Sequence, residues 1–167
     1  MSVSGNVAKP GVYELSVGTK LTELIAMCEP KNKVKAIYSG CFGGCFPYQN
    51  IQLTPEDVCG LNCIIGTYTL IVIDENQSIV DTAISISKFY AFESCGKCTP
   101  CREGTKRVLD LLVKIKGGQA TKDDLDTLHD LANHIHETAL CGLGQTATNH
   151  IITALKYFRE EFEEKIH

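Results

Sequence analysis

Two hydrophobic rhythms divide the chain. Up to about Glu75 the apolar residues come in short runs, separated by glycine and proline. Val3 to Val7 and Gly11 to Leu15 read as extended segments parted by the turn-forming Lys9-Pro10-Gly11. Lys33 to Tyr38 and Tyr68 to Ile73 are rich in β-branched residues and read as strands. Leu21, Leu24, Ile25 and Cys28 recur at helical spacing and predict one short helix, with Cys28 on its buried side. The stretch holding Gly40, Gly43, Gly44, Pro47 and Pro55 reads as loop. This half is expected to be a small mixed α/β unit covering residues 1–75.

From Ser78 the period becomes helical. One stripe runs through Ile79, Ala83, Ile86 and Tyr90, and a second through Val108, Leu111, Leu112 and Ile115, stopped by Gly117-Gly118. Thr121, with Asp124 three residues on, offers an N-cap to a third stripe of Leu125, Leu128, Leu131 and Ile135. A last helix carries Ile151, Leu155, Phe158 and Phe162 on one face, with Glu160, Glu161, Glu163 and Glu164 on the solvated one. Four amphipathic helices with short connections predict an antiparallel bundle over residues 76–167. The fold class is therefore α+β.

Composition narrows the function. Of 167 residues, 44% are hydrophobic and 22% charged, enough apolar material for a core. A net charge of -4 gives no footprint for nucleic-acid phosphates. No apolar run approaches the ~18 residues of a membrane span, and the start has no basic or apolar leader. The expected setting is cytoplasmic, where nine cysteines point to metal or cluster ligation rather than disulfides.

The sharpest chemical signal is Glu93-Ser94-Cys95-Gly96-Lys97-Cys98-Thr99-Pro100-Cys101-Arg102-Glu103-Gly104. Two residues separate each cysteine from the next, so one tight loop aims three thiolates at a common centre. Cys141 is the candidate fourth ligand, because the loops before the second and fourth helices of an antiparallel bundle share one end. This pattern favours a 4Fe–4S cluster on Cys95, Cys98, Cys101 and Cys141 over zinc, whose ligands usually come as two pairs. Lys97, Arg102 and Lys106 surround the loop and either offset thiolate charge or are simply solvated. His129, His134 and His136 have no partner at ligand spacing and are expected to be structural. Cys41, Cys45, Cys59 and Cys63 form two wider-spaced pairs, candidates for a second cluster or zinc site or for buried apolar positions.

The cysteine motif and Leu155-Lys156-Tyr157-Phe158-Arg159-Glu160-Glu161-Phe162 resemble the C-terminal part of the NADH-binding flavoprotein subunit of respiratory complex I. The same module occurs in NAD-linked and electron-bifurcating hydrogenases and in formate dehydrogenases. Gly5-Asn6-Val7-Ala8-Lys9-Pro10-Gly11-Val12-Tyr13-Glu14-Leu15 resembles the opening of that family's SLBB domain, a β-grasp fold. The resemblance implies a 4Fe–4S cluster on the four matching cysteines. It also implies two partners, a thioredoxin-like 2Fe–2S subunit and a large multi-cluster hydrogenase- or dehydrogenase-type subunit. Gly40 to Gly44 is too short for the family's glycine-rich nucleotide loop. The chain is thus expected to bind neither FMN nor NAD, a role left to a separate pyridine-nucleotide flavoenzyme. The leading expectation is an electron-transfer subunit without an active site of its own; the alternative is a docking or scaffold subunit with a structural metal.

Overall fold

The computed structural model describes residues 1–166, which form two compact units, Met1–Gln77 and Ser78 onward. In the first, five strands make one mixed sheet: β1 (Ser2–Gly5), β2 (Gly11–Val12), β3 (Val34–Tyr38), β4 (Cys45–Pro47) and β5 (Thr69–Asp74). Their order is β2-β1-β5-β3-β4, with β1 and β5 paired in parallel at the centre and every other pair antiparallel. The β1–β5 pairing, with helix α1 (Leu21–Met27) in the crossover, is the β-grasp arrangement. Leu21, Leu24 and Ile25 of α1 are buried, as are Val3, Ile37, Leu70 and Val72 of the strands. Cys28 is also fully buried, as its place on the apolar stripe predicts.

The segment expected to be loop contains two further elements, β4 and the helix α2 (Pro55–Gly60). Both are short. Three residues of strand show no usable alternation, and α2 is set by its ends: the Thr54 hydroxyl accepts the Asp57 amide, and proline holds the first position.

The second unit is helical: α3 (Ile79–Glu93), α4 (Thr99–Lys116), α5 (Lys122–Thr138), α6 (Gly142–Thr146), α7 (Asn149–Tyr157) and α8 (Arg159–Glu163). Helix α3 packs on α4, α4 on α5, and α7 on both α5 and α3, closing a ring of four. Val108, Leu112, Ile115, Leu125, Leu128, Ile135 and Ile151 fill its interior. Truncating any one of the leucines to alanine would cost about 2–5 kcal/mol. Gly118 leaves α4 at φ 66°, a left-handed conformation that glycine adopts without strain. Thr121 and Asp124 cap α5 reciprocally, as the sequence predicts: the Thr121 amide donates to the carboxylate (2.8 Å) and the Asp124 amide to the hydroxyl (3.3 Å).

The final helix expected from the sequence is broken. Phe158, at φ -136° and ψ 31°, ends α7 and begins α8, and the extra helix α6 precedes both. The bend takes Glu161 out of the solvated row: its carboxylate accepts the Ile79 amide at 3.0 Å. A negative group at the α3 N-terminus satisfies a donor that the helix itself leaves unpaired.

Candidate metal centre

The cysteine motif begins where α3 stops. Gly96 takes φ 75°, turning the chain between Cys95 and Cys98 in a conformation other residues rarely adopt. The Arg102 guanidinium reaches back to the Gly96 carbonyl at 3.0 Å, fastening the loop to α4. Cys98 is the N-cap of α4, Pro100 lies in the first turn, and Cys101 follows, 4% exposed. The Ser94 hydroxyl and the Cys101 sulfur are 3.2 Å apart. Cys95 is exposed and Cys98 half-buried.

Forty residues on in the sequence, Cys141 is the N-cap of α6 and exposed. Its neighbours on either side meet the motif. The amide of Leu140, then that of Cys101, holds the Cys98 thiol below its ordinary range by stabilising the thiolate. Three residues after Cys141, Gly144 packs against Cys101, where an added methyl would stand 3.3 Å from its Cβ and 3.7 Å from its sulfur. The Cys141 segment thus touches the sites of two other cysteines, at the shared end that bundle topology predicts.

Thiols at helix N-termini that receive amide donors are suited to act as thiolate ligands. Among the described residues, no three Cys, His, Asp or Glu side chains converge tightly enough to hold one metal ion. Four thiolates on a single zinc would stand about 3.8 Å apart, given Zn–S bonds of ~2.3 Å. A 4Fe–4S cubane binds each thiolate to a different iron and so spreads them wider. The all-sulfur donor set and the amide-lined loop suit the cubane.

Of the early cysteines, Cys41 lies in the turn before β4, Cys45 opens β4, Cys59 is on α2 and Cys63 follows it. The structure brings Cys45 and Cys63 together, the Cys63 thiol donating to the Cys45 carbonyl at 3.6 Å. Both are core residues, whereas Cys59 faces solvent. The three histidines of α5 make local contacts: His129 lies beside Asp130 (3.6 Å), and His134 donates to the Asp130 carbonyl. His136 differs, donating across to the Gln145 carbonyl of α6 at 2.6 Å. Ser94, Leu140 and Gly144 lie against these cysteines, and Gln145 against Ala139, without standing out in the sequence. Only the glycines of Cys141-Gly142-Leu143-Gly144 hint at close packing.

Known proteins resemble both units of the chain. Residues 1–28 match the SLBB domain. The NADH-quinone oxidoreductase-F subunit of Streptomyces coelicolor is 40% identical over 99% of this chain, and the NADP-reducing hydrogenase subunit HndC of Solidesulfovibrio fructosivorans is 34% identical over 99%. The chain spans 38% and 35% of those relatives. Among solved structures, an NAD+-reducing NiFe-hydrogenase in its H2-reduced state superimposes with a TM-score of 0.86 at 31% identity, covering 99% of this chain and 29% of that one. Residues 81–165, which include the motif and Cys141, match the 4Fe–4S family described as the NADH-ubiquinone oxidoreductase-F iron–sulfur binding region, and it is to this family that the chain belongs.

Proposed function

We propose that the chain is an electron-transfer subunit of a multi-subunit cytoplasmic oxidoreductase and that Cys95, Cys98, Cys101 and Cys141 hold its one 4Fe–4S cluster. The observation that carries this reading is the seating of the Cys141 segment against the motif, Leu140 on Cys98 and Gly144 on Cys101. Such a cluster, when bound, takes up and returns single electrons. The protein's part is to hold the thiolates and set their electrostatics. Amides at Cys98 and the Ser94 hydroxyl at Cys101 place donors around the sulfurs, which favours the reduced form. Arg102, tied to the Gly96 carbonyl and paired with Glu103, adds a smaller positive contribution at Cys98.

Burial is uneven around the site. Cys101 faces the bundle, whereas Cys95 and Cys141 face solvent beside Phe92, 85% exposed, and Leu140, 76% exposed. This apolar, open side suits close approach by a partner that gives or takes the electron. The partners we propose are a thioredoxin-like 2Fe–2S subunit and a large multi-cluster hydrogenase- or dehydrogenase-type subunit. The nicotinamide chemistry named in the relatives falls to a pyridine-nucleotide flavoenzyme outside these residues.

The test is to tag the chain in its native cells, isolate the assembly anaerobically and follow this cluster by EPR. Adding the assembly's own reductant, NADH or H2, should bring up the reduced-cluster signal, and the acceptor should bleach it within turnover. Turnover at full rate in an assembly whose Cys98→Ala chain has lost its cluster would refute the relay.

A further inference from the structure

We propose that His136 and Gln145 form a clamp that positions Cys141 and the Leu140 amide, making them positioning residues for the cluster; this rests on the reading above that Cys141 is a ligand. The segment from Ala139 to Thr146 needs such a device. Helix α6 has five residues, too few to hold itself through its own backbone bonds. Leu140 and Cys141 are exposed, so apolar packing does not fix them either.

Gln145 closes the segment from within. Its backbone amide makes the first helical bond of α6, to the Cys141 carbonyl at 2.9 Å, and its side-chain amide adds a bond to the Ala139 carbonyl at 3.1 Å. One residue thereby grips the chain on both sides of Leu140-Cys141. Ala139 is extended, at ψ 143°, so its carbonyl has turned away from the α5 ladder and takes a partner from elsewhere. His136, in the last turn of α5, fixes Gln145 in turn, its Nδ1–H donating to the Gln145 carbonyl at 2.6 Å. That carbonyl accepts only, so Nδ1 carries the proton and the clamp works with a neutral or a charged ring. The result is a path from a rigid helix to the ligand: α5, His136, Gln145, Cys141. The same path sets Leu140, the residue before Cys141, whose amide favours the Cys98 thiolate.

Both side chains are exposed, so they add little to the core. Their loss should loosen the ligand without unfolding the unit. Groups bonded directly to metal ligands typically contribute 10–100-fold to metal affinity, so a clamp one step removed belongs at the low end of that range, and hydrogen bonds to cluster sulfurs help set the potential.

The test uses the full cluster-loaded chain and the variants His136→Phe, Gln145→Glu and His136→Asn. Gln145→Glu keeps the shape and removes the donor to Ala139, while His136→Asn returns an amide donor near the Nδ1 position. Readouts are iron release to a chelator, an EPR-monitored redox titration, and thermal melting of the metal-free chains. His136→Phe and Gln145→Glu should release iron about 10-fold faster or more and titrate at a lower potential, with metal-free melting unchanged. His136→Asn should stay within about twofold of the parent. Parental release and potential in both disruptive variants would overturn the clamp, as would faster release that merely tracks a lowered melting temperature. Failure of the underlying reading looks different: the parent itself carries no iron and sulfide, or Cys141→Ser keeps the parental cluster.

Discussion

Gly144 offers a quantitative test of how α6 meets the motif. In Gly144→Ala the new methyl would stand 2.6 Å from the Ala139 Cβ and 3.3 Å from the Cys101 Cβ, where ordinary contact begins at 3.4 Å. The first gap must therefore open by about 0.8 Å, and neither wall is the end of a flexible side chain. Overpacking of this kind costs about 1–3 kcal/mol. The displacement also exceeds the ~0.2 Å tolerance of metal–ligand distances, and Cys141 lies on the segment that must move. Gly142→Ala is the matched control, because nothing stands within 4 Å of its added methyl and its φ is not positive. Anaerobically purified Gly144→Ala should hold clearly less than the parental iron and sulfide, with a broadened or diminished EPR signal, while Gly142→Ala matches the parent. Parental iron, signal and melting temperature in Gly144→Ala would show that α6 does not abut Cys101.

Three more expectations follow from the helical unit. Complete burial holds His150 down to about 3 from its ordinary 6.5. The unfolded chain then binds one more proton between those values, so stability rises with pH through the window and is lost as pH falls from 6.5. At pH 5 the loss relative to pH 8 is about 2 kcal/mol; denaturant titrations of the metal-free chain should show that slope flattened in His150→Asn, and an identical slope would contradict it. In the metal-free chain the Cys98 thiol, held low by the Leu140 and Cys101 amides, should alkylate faster near neutral pH than a thiol of ordinary pKa; mass spectrometry of a timed iodoacetamide reaction checks this. Thr121→Ala removes the hydroxyl that caps α5 and should cost about 1 kcal/mol with iron content unchanged, whereas loss of iron would tie the α5 start to the site.

Legibility in the sequence followed the reach of each signal. The three long stripes of α3 to α5 and the Thr121–Asp124 cap are periodic or local, and they stand where the residues put them. Three short elements escaped: β4, α2 and α6 carry neither a helical stripe nor a β-branched run to mark them. Phe158 continues the apolar stripe of the last helix, so nothing in the pattern marks the break there, and the place of Glu161 at the α3 N-terminus depends on that break. At the proposed centre, sequence spacing groups Cys95, Cys98 and Cys101, and bundle topology adds Cys141 as the candidate fourth ligand. Their supports are of another kind. The Leu140 amide and the close approach at Gly144 are backbone features that side-chain chemistry does not announce. His136 reads as an ordinary surface residue until α6 is placed beside it.

Four cysteines, three closely spaced and one remote, are proposed to share one cluster. The most direct measurement is iron, acid-labile sulfide and zinc per chain after anaerobic purification, made on the parent and on Cys141→Ser, with EPR after dithionite reduction. The parent should hold about four irons and four sulfides with a reduced-cluster signal, and Cys141→Ser should lose iron or show an altered signal. Zinc without sulfide in the parent, or a parental cluster in Cys141→Ser, would contradict the shared cluster.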